Sequence, residues 1–210
     1  MQSKLTCLAF LAASLASCNS MTHDSDEHSH EHLEFVDWGD NPMENPEFME
    51  KMMELGTPGE DHAELMKSLG EWDVEYSMYM EPGAEPMLAT ATATRSSLLG
   101  GRYVMEEFVG TFMDQPFEGL LIQGFNKMKG EYFSMWMDTW STWPSIMHGT
   151  ETAPGTIESH GVMHDLMTPD GRPYRSIVKE VDDNTGQMMM YDTMPDGTEM
   201  LVMEMNYKRK

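Results

Sequence analysis

From Gly70 onward, apolar and polar residues alternate. In 71–80, Trp72, Val74, Tyr76, Met78 and Met80 are separated by Glu71, Asp73, Glu75, Ser77 and Tyr79. A period of two places the apolar row on one face of a half-buried strand. Turn signals recur through the rest of the chain: Glu81-Pro82-Gly83, Gly100-Gly101, Asp114-Gln115-Pro116, Gly130, Ala153-Pro154-Gly155, Pro169-Asp170-Gly171, Asp183-Asn184-Thr185-Gly186 and Pro195-Asp196-Gly197. Between them lie runs rich in β-branched, aromatic and Met residues. The pattern predicts strands at 71–80, 87–98, 102–112, 117–126, 131–140, 145–152, 156–167, 173–182, 187–194 and 198–207. Short strands with local connections predict an all-β antiparallel up-and-down barrel, because closure removes the exposed edges of so long a sheet.

Before Gly70 the period is helical. Asn45 is placed to cap, Pro46 to occupy the first helical position, and Gly56 and Pro58 to end a helix. Phe48, Met49, Met52, Met53 and Leu55 form its apolar face. A second short helix is predicted from Glu60 to Leu69, with Leu65, Met66 and Leu69 apolar and Gly70 as its stop. Helices so placed should lie against the outside of the barrel or plug one end.

The first residues differ again. A short apolar run after Lys4 ends in Leu15-Ala16-Ser17-Cys18. It is too short for a membrane span and has the make-up of a secretory signal peptide. The cysteine at its exit resembles the lipobox of bacterial lipoproteins, which implies lipidation at Cys18 and anchorage in a bacterial cell envelope. Asn19 after that cysteine implies, by the same resemblance, the outer membrane facing the periplasm if the envelope has two membranes. The expected organisation is a leader at 1–17, Cys18 with an acidic, His-rich disordered tether at 18–41, helices at 42–69 and the barrel at 70–210.

Composition narrows the function classes. Net charge is −23, so nucleic acid and anionic lipid surfaces are poor partners. The two cysteines are Cys7 in the leader and Cys18, leaving no thiol for a disulfide, a zinc thiolate site or catalysis. The 25 methionines suit an irregular core or a cavity wall. Their scatter argues against a soft-metal site, although thioethers suit Cu(I). His23, His28, His30 and His32 in the tether supply imidazoles for Cu or Zn, the basis of an alternative reading as a metal-handling envelope protein.

Gly70-Glu71-Trp72, where a helix enters the first strand, resembles the G-x-W motif of lipocalins and the wider calycin group. The resemblance implies that Trp72 closes one barrel end with a late Arg over its ring. Arg209 in Tyr207-Lys208-Arg209 is the matching residue. A longer resemblance covers residues 57–209. It comprises Thr57-Pro58-Gly59 with His62, Leu65 and Leu69; Gly70-Glu71-Trp72; Gly100-Gly101-Arg102-Tyr103; Pro116-Phe117-Glu118-Gly119; Gly124-Phe125-Asn126; Trp136-Met137-Asp138; and Tyr207-Lys208-Arg209. Together these resemble the bacterial domain-of-unknown-function family 1579, which implies a calycin-like barrel and supplies no catalytic residues.

No motif for nucleophilic catalysis, phosphate binding or dinucleotide binding is present. An enzyme is therefore the least favoured class. Glu106 and Glu107 are adjacent on a strand and point to opposite faces; an inward-pointing Glu is one reading, and a partly exposed residue at a barrel end is the favoured expectation. His148, His160 and His164 read as surface or pocket-rim residues, since His160 and His164 lie about 13 Å apart on a strand. One of the three as a haem ligand is a lesser option, and no cofactor is implied. Ala89, Ala91 and Ala93 on one strand face leave room inside the barrel. Trp136 and Asp138 share a face, offering a stacking plane beside a polar group, while Met135 and Met137 lie on the other. With Tyr103, these four are the candidate ligand-binding residues. The expected function is binding of a small apolar or amphipathic molecule in the barrel. The remaining alternative is a structural or interaction lipoprotein, with Trp140 and Trp143 at the barrel mouth as the contact surface.

Overall fold

The computed structural model describes residues 36–166, 168–194 and 196–210. The leader, Cys18 and the four tether histidines lie outside the described residues. Two helices, α1 (Pro46–Gly56) and α2 (Glu60–Lys67), precede ten strands. These are β1 (Gly70–Met78), β2 (Met87–Leu98), β3 (Tyr103–Phe112), β4 (Gln115–Asn126), β5 (Glu131–Asp138), β6 (Ser145–Ala153), β7 (Thr156–Met163), β8 (Arg172–Asp182), β9 (Thr185–Thr193) and β10 (Glu199–Arg209). Each strand pairs antiparallel with its sequence neighbour, and β1 pairs with β10 to close the ring. No strand is left with a bare edge, which is what closure achieves for a long meander.

The elements begin and end where local chemistry dictates. Asn45 Oδ1 accepts hydrogen bonds from the N–H groups of Glu47 (2.9 Å) and Phe48 (3.4 Å), capping α1. The β3–β4 turn is the pair Met113-Asp114, both with positive φ, the signature of a two-residue hairpin turn. Strand β4 therefore starts at Gln115, two residues before the sequence pattern suggests. Strand β5 stops at Asp138 instead of 140, because Asp138 Oδ1 accepts the Trp140 N–H at 2.9 Å and bends the chain. Strand β7 stops at Met163 instead of 167, where Asp165 Oδ1 accepts the Thr168 N–H at 2.8 Å and starts a turn. Helix α2 ends at Lys67, short of Leu69. The N–H groups of Ser68 and Leu69 close onto the carbonyls of Leu65 and Met66 before the chain enters β1.

Register fixes which rows face inward. Trp72, Val74 and Tyr76 of β1 stand opposite Ala93, Ala91 and Ala89 of β2, and Ala93 stands opposite Phe108 of β3. Trp72, Val74, Tyr76, Met78, Ala91, Ala93, Phe108 and Met205 form one buried cluster. The alanine row is thus not vacant: its small side chains make room for the rings of β1 and β3. That corrects the expectation of open space there.

Helix α2 plugs the end of the barrel at which β1 begins. Leu65 is buried with Val104 and Phe125, and Met66, Leu69 and Tyr132 pack around them. Helix α1 instead stands beside the barrel, with none of its residues buried. Both placements foreseen for the helices are used, one by each helix.

Candidate functional site

The plugged end is held by an indole between two guanidinium groups. Trp72 is 4 % exposed and donates from Nε1 to the Ser68 carbonyl at 2.9 Å. Arg209 lies over its ring at 4.2 Å and Arg95 at 5.2 Å. Arg209 also donates to the carbonyls of Leu69, Lys67 (2.8 Å) and Asp183 (2.9 Å). One side chain thus ties the last strand to the α2–β1 junction and to the β8–β9 turn. The Trp72–Arg209 pair expected from the sequence is present; the second cation, Arg95, is not foreseen by the motif.

Arg95 carries a buried charge pair. Its Nε donates to Glu106 Oε2 at 2.5 Å, and Glu106 is 1 % exposed. Its guanidinium also lies 4.7 Å over Tyr207. Glu106 is therefore an interior residue in mid-strand rather than a partly exposed residue at a barrel end. The physical reason is that its neighbour Arg95, on the adjacent strand, supplies the countercharge that burial demands. Extending the period of two from Ala89–Ala93 reaches Arg95, and from Val104 and Phe108 it selects Glu106. The signal was in the sequence as cross-strand inward rows.

Burial pushes the phenols of Tyr76, Tyr132, Tyr174 and Tyr207 above the ordinary tyrosine value, aided by Asp61 beside Tyr132 and by Glu106 near Tyr207. The native fold resists ionisation of these four groups, whereas the unfolded chain ionises them near pH 10. Stability contributed by their neutral forms is complete below about pH 10 and is lost as pH rises toward the folded-state values. Alkaline titration should show tyrosinate absorbance from these residues rising together with loss of the fold, not ahead of it.

The interior is filled unevenly. The buried cluster occupies the wall of β1–β3 and β10, and Phe125, Met147, Ser159, Tyr174, Ser176 and Asp192 on the inward rows of β4 and β6–β9 are buried as well. On the facing wall, the inward residues Leu121, Gln123, Ser134, Trp136, Asp138, Met188 and Met190 are only partly buried, and Val178 is 40 % exposed. Trp136 packs against the buried cluster from β5. It stacks on Phe117 at 6.2 Å with a 23° interplanar angle and meets Phe108 edge-on at 5.9 Å. Its Nε1 donates to Asp138 Oδ2 at 2.8 Å. Asp138 uses one oxygen to orient the indole and the other to bend the chain at Trp140, so it positions the ring.

Gly119 makes the pose possible, since a Cβ there would collide with the indole. Gly119→Ala is expected to displace Trp136, shift its fluorescence emission and destabilise the fold by about 1–3 kcal/mol, as overpacking does. Paired emission spectra and urea melts of both proteins measure this.

The structure divides the five sequence-selected ligand residues. Trp136 and Asp138 face inward together. Tyr103, Met135 and Met137 face outward, because strand alternation sends them to the outer wall. Tyr103 and Phe133 flank Gly124 there, with ring centroids 6.0 Å apart; a Cβ on Gly124 would lie 2.8 Å from Tyr103 and 3.0 Å from Phe133. At the opposite end from α2, Trp140 packs edge-on against Phe112 at 4.6 Å. Trp140 and Trp143 are about half exposed at this mouth.

His148 and His160 are directly opposed across β6 and β7 on the outer wall. His148 Nδ1 lies 3.1 Å from Glu131, and His160 Nε2 lies 3.3 Å from Glu158. His164 sits in the β7–β8 turn with Nδ1 3.2 Å from the Pro169 carbonyl. Among the described residues no three His, Cys, Asp or Glu side chains converge as a metal site, and no helix is long and apolar enough to cross a membrane.

A cleft of about 1460 Å³ lies between α1 and the outer wall at the plugged end. Met52 and Leu55 of α1 face Tyr103 and Phe133 across it, and Trp38 and Phe48 meet edge-on at 5.5 Å along its side. Arg102 donates to the Gly56 carbonyl at 2.7 Å and to the Leu99 carbonyl at 3.0 Å. Lys127 donates to the carbonyls of Glu54 (2.7 Å) and Thr57 (3.1 Å). These two cations grip the C-terminal end of α1, where unpaired carbonyls attract positive charge. His62, at the cleft's inner margin, accepts from the Gly59 N–H at Nδ1 (3.2 Å). Burial lowers its pKa, with Lys127 and Arg102 adding to the effect against the opposing pull of Asp61.

The geometry agrees with the comparisons. The profile of a family described as "Protein of unknown function (DUF1579)" matches residues 57–209, and the chain belongs to that family. The crystal structure of Rv2717c from M. tuberculosis is similar in fold. Its TM-score is 0.53 at 10 % identity, with 73 % of this chain and 99 % of that chain covered. At that identity the likeness speaks for the barrel alone. Among curated proteins none matches the sequence.

Proposed function

We propose that this barrel is a binding module that takes a small apolar or amphipathic molecule into its interior. The supporting observation is the group of inward residues on β4, β5 and β9 that stay partly accessible while Met147, Tyr174 and Asp192 beside them are buried. A barrel with a solid core buries its inward row throughout, whereas here Leu121, Trp136, Met188 and Met190 remain partly accessible beside Gln123 and Ser134. Apolar area with a few polar groups and adaptable methionines is the lining that suits such ligands. Trp136, held by Asp138 and Gly119, is the stacking plane. On this reading the protein works at the outer surface of a bacterial membrane, tethered through a lipidated Cys18.

Native mass spectrometry of the full-length protein purified from its own host tests the binding proposal. A retained small-molecule adduct that is lost on Trp136→Ala is the expected result. Bare protein mass under gentle conditions counts against an occupied interior. Metabolic labelling with a fatty-acid analogue, compared between the natural protein and Cys18→Ala, tests the anchor.

A further inference from the structure

We infer that the cleft between α1 and the outer wall of β3–β5 is a second binding site, one for a single-chain anionic amphiphile of the long-chain carboxylate class. The head group would sit near Arg102, Lys127 and Lys51, and the tail would lie between α1 and the wall. This site is distinct from the barrel interior and does not depend on the interior being occupied.

Charge carries the first part. The chain has 36 acidic and 13 basic residues, yet the cleft lining includes Lys51, Arg102 and Lys127 and no Asp or Glu. Lys51 is paired with Glu54 at 2.9 Å. Arg102 and Lys127 bond only neutral carbonyls, and among the described residues no carboxylate lies within ion-pair distance of either. The end of α1 offsets about half an elementary charge, and Glu54, which feels both Lys51 and Lys127, offsets one more, against the three positive charges of Lys51, Arg102 and Lys127. In a molecule whose surface is otherwise strongly acidic, this locus attracts anions.

Shape carries the second part. The wall is apolar and aromatic: Tyr103 and Phe133 form the floor, and Met52 and Leu55 form the facing side. Gly124 lets the two rings lie close to the strand. Helix α1 buries none of its residues although its apolar face points at this wall, so among the described residues nothing fills the gap where an amphipathic helix ordinarily packs. The volume of about 1460 Å³ exceeds the ~300–1,000 Å³ of ordinary small-molecule sites and accommodates an extended chain. A cationic rim beside an apolar trough selects a ligand with a negative head and a hydrocarbon tail. Helix α1 precedes the family-matched region 57–209, so one wall of the site lies outside it.

The test uses the full chain and submicellar dodecanoate, with dodecyltrimethylammonium and a neutral dodecyl glycoside as chain-matched controls. Dodecanoate should bind at least about tenfold more tightly than either control, the scale expected of charge-assisted contacts, and Lys51→Glu should narrow that gap. The ion pair of Lys51 is with Glu54 of its own helix, so this variant removes no bond of the barrel wall. The site is located with a brominated fatty acid, which quenches nearby indoles. Quenching should be lost in Trp38→Phe and kept in Trp136→Phe. Loss in Trp136→Phe with retention in Trp38→Phe overturns the cleft site while favouring an occupied interior. Equal affinity for the three head groups, no binding at all, or quenching only by phosphatidylglycerol vesicles also overturns it.

Discussion

Trp72→Ala is expected to lower the unfolding free energy by about 3–5 kcal/mol, the range for deleting a large buried ring. Three losses combine. The side chain is almost fully buried among Val74, Ala93 and Phe108. Its indole N–H bond to Ser68 ties the exit of α2 to the first strand. Its ring also receives Arg95 and Arg209, and without it both cations lose that contact. Each cation–π contact contributes about 0.5–2 kcal/mol depending on desolvation. Domains of this size hold about 5–15 kcal/mol in reserve, so the variant should sit near the threshold for folding. Urea denaturation followed by circular dichroism measures the shift. Trp72→Phe separates the terms: it keeps a ring and loses the N–H, so it should cost less. Equal stability of Trp72→Ala and the natural protein would mean that the plugged end contributes little.

Glu106→Ala is expected to cost about 3–5 kcal/mol, because removing one partner of a buried ion pair strands the other. Arg95 has nowhere wet to go: Trp72 and Tyr207 lie under its guanidinium, and Glu106 holds its Nε. The informative comparison is the double variant Arg95→Met with Glu106→Leu. Replacing both charges by apolar groups of similar volume removes the desolvation cost together with the attraction, and should recover most of the lost stability. A double-mutant cycle built from thermal or urea melts gives the coupling directly. Losses that simply add would show that the pair acts as two independent residues.

The sequence makes the strand ladder legible because a barrel wall obeys one rule repeatedly. One face is apolar, the other is polar, and glycine or proline marks each turn. The rule fails in informative places. Asp138 and Asp165 end β5 and β7 early by accepting turn N–H bonds, and a carboxylate's choice of partner is not a periodic property. Met113 and Asp114 build a turn usually assigned to glycine or asparagine, whereas the turn signal Asp114-Gln115-Pro116 points further along the chain. The Trp72–Arg209 contact was legible as a motif. The Arg95–Glu106 pair has no motif: the period of two puts each residue on an inward row, and only register makes them neighbours. The candidate ligand set mixed two faces of β5 for the same reason: alternation separates Trp136 from Met135 and Met137, but inward and outward cannot be assigned until the rows across the barrel are aligned. The cleft beside α1 had no local signature, since it arises from a helix held off a wall by Arg102 and Lys127.

The seam of the ring joins the two extremities of the domain: Trp72 pairs with Arg209, and the Lys210 N–H donates to the Glu71 carbonyl at 2.9 Å. A growing chain therefore cannot seal the cylinder until β10 has been made, and an earlier intermediate carries two raw sheet margins open to pairing with other molecules. Shortening the C-terminus by a few residues should promote aggregation out of proportion to the contacts removed. Conversely, splicing the end of β10 to the start of β1 and cutting the chain at a mouth turn should yield a circularly permuted barrel with its wall intact, since those termini already lie side by side.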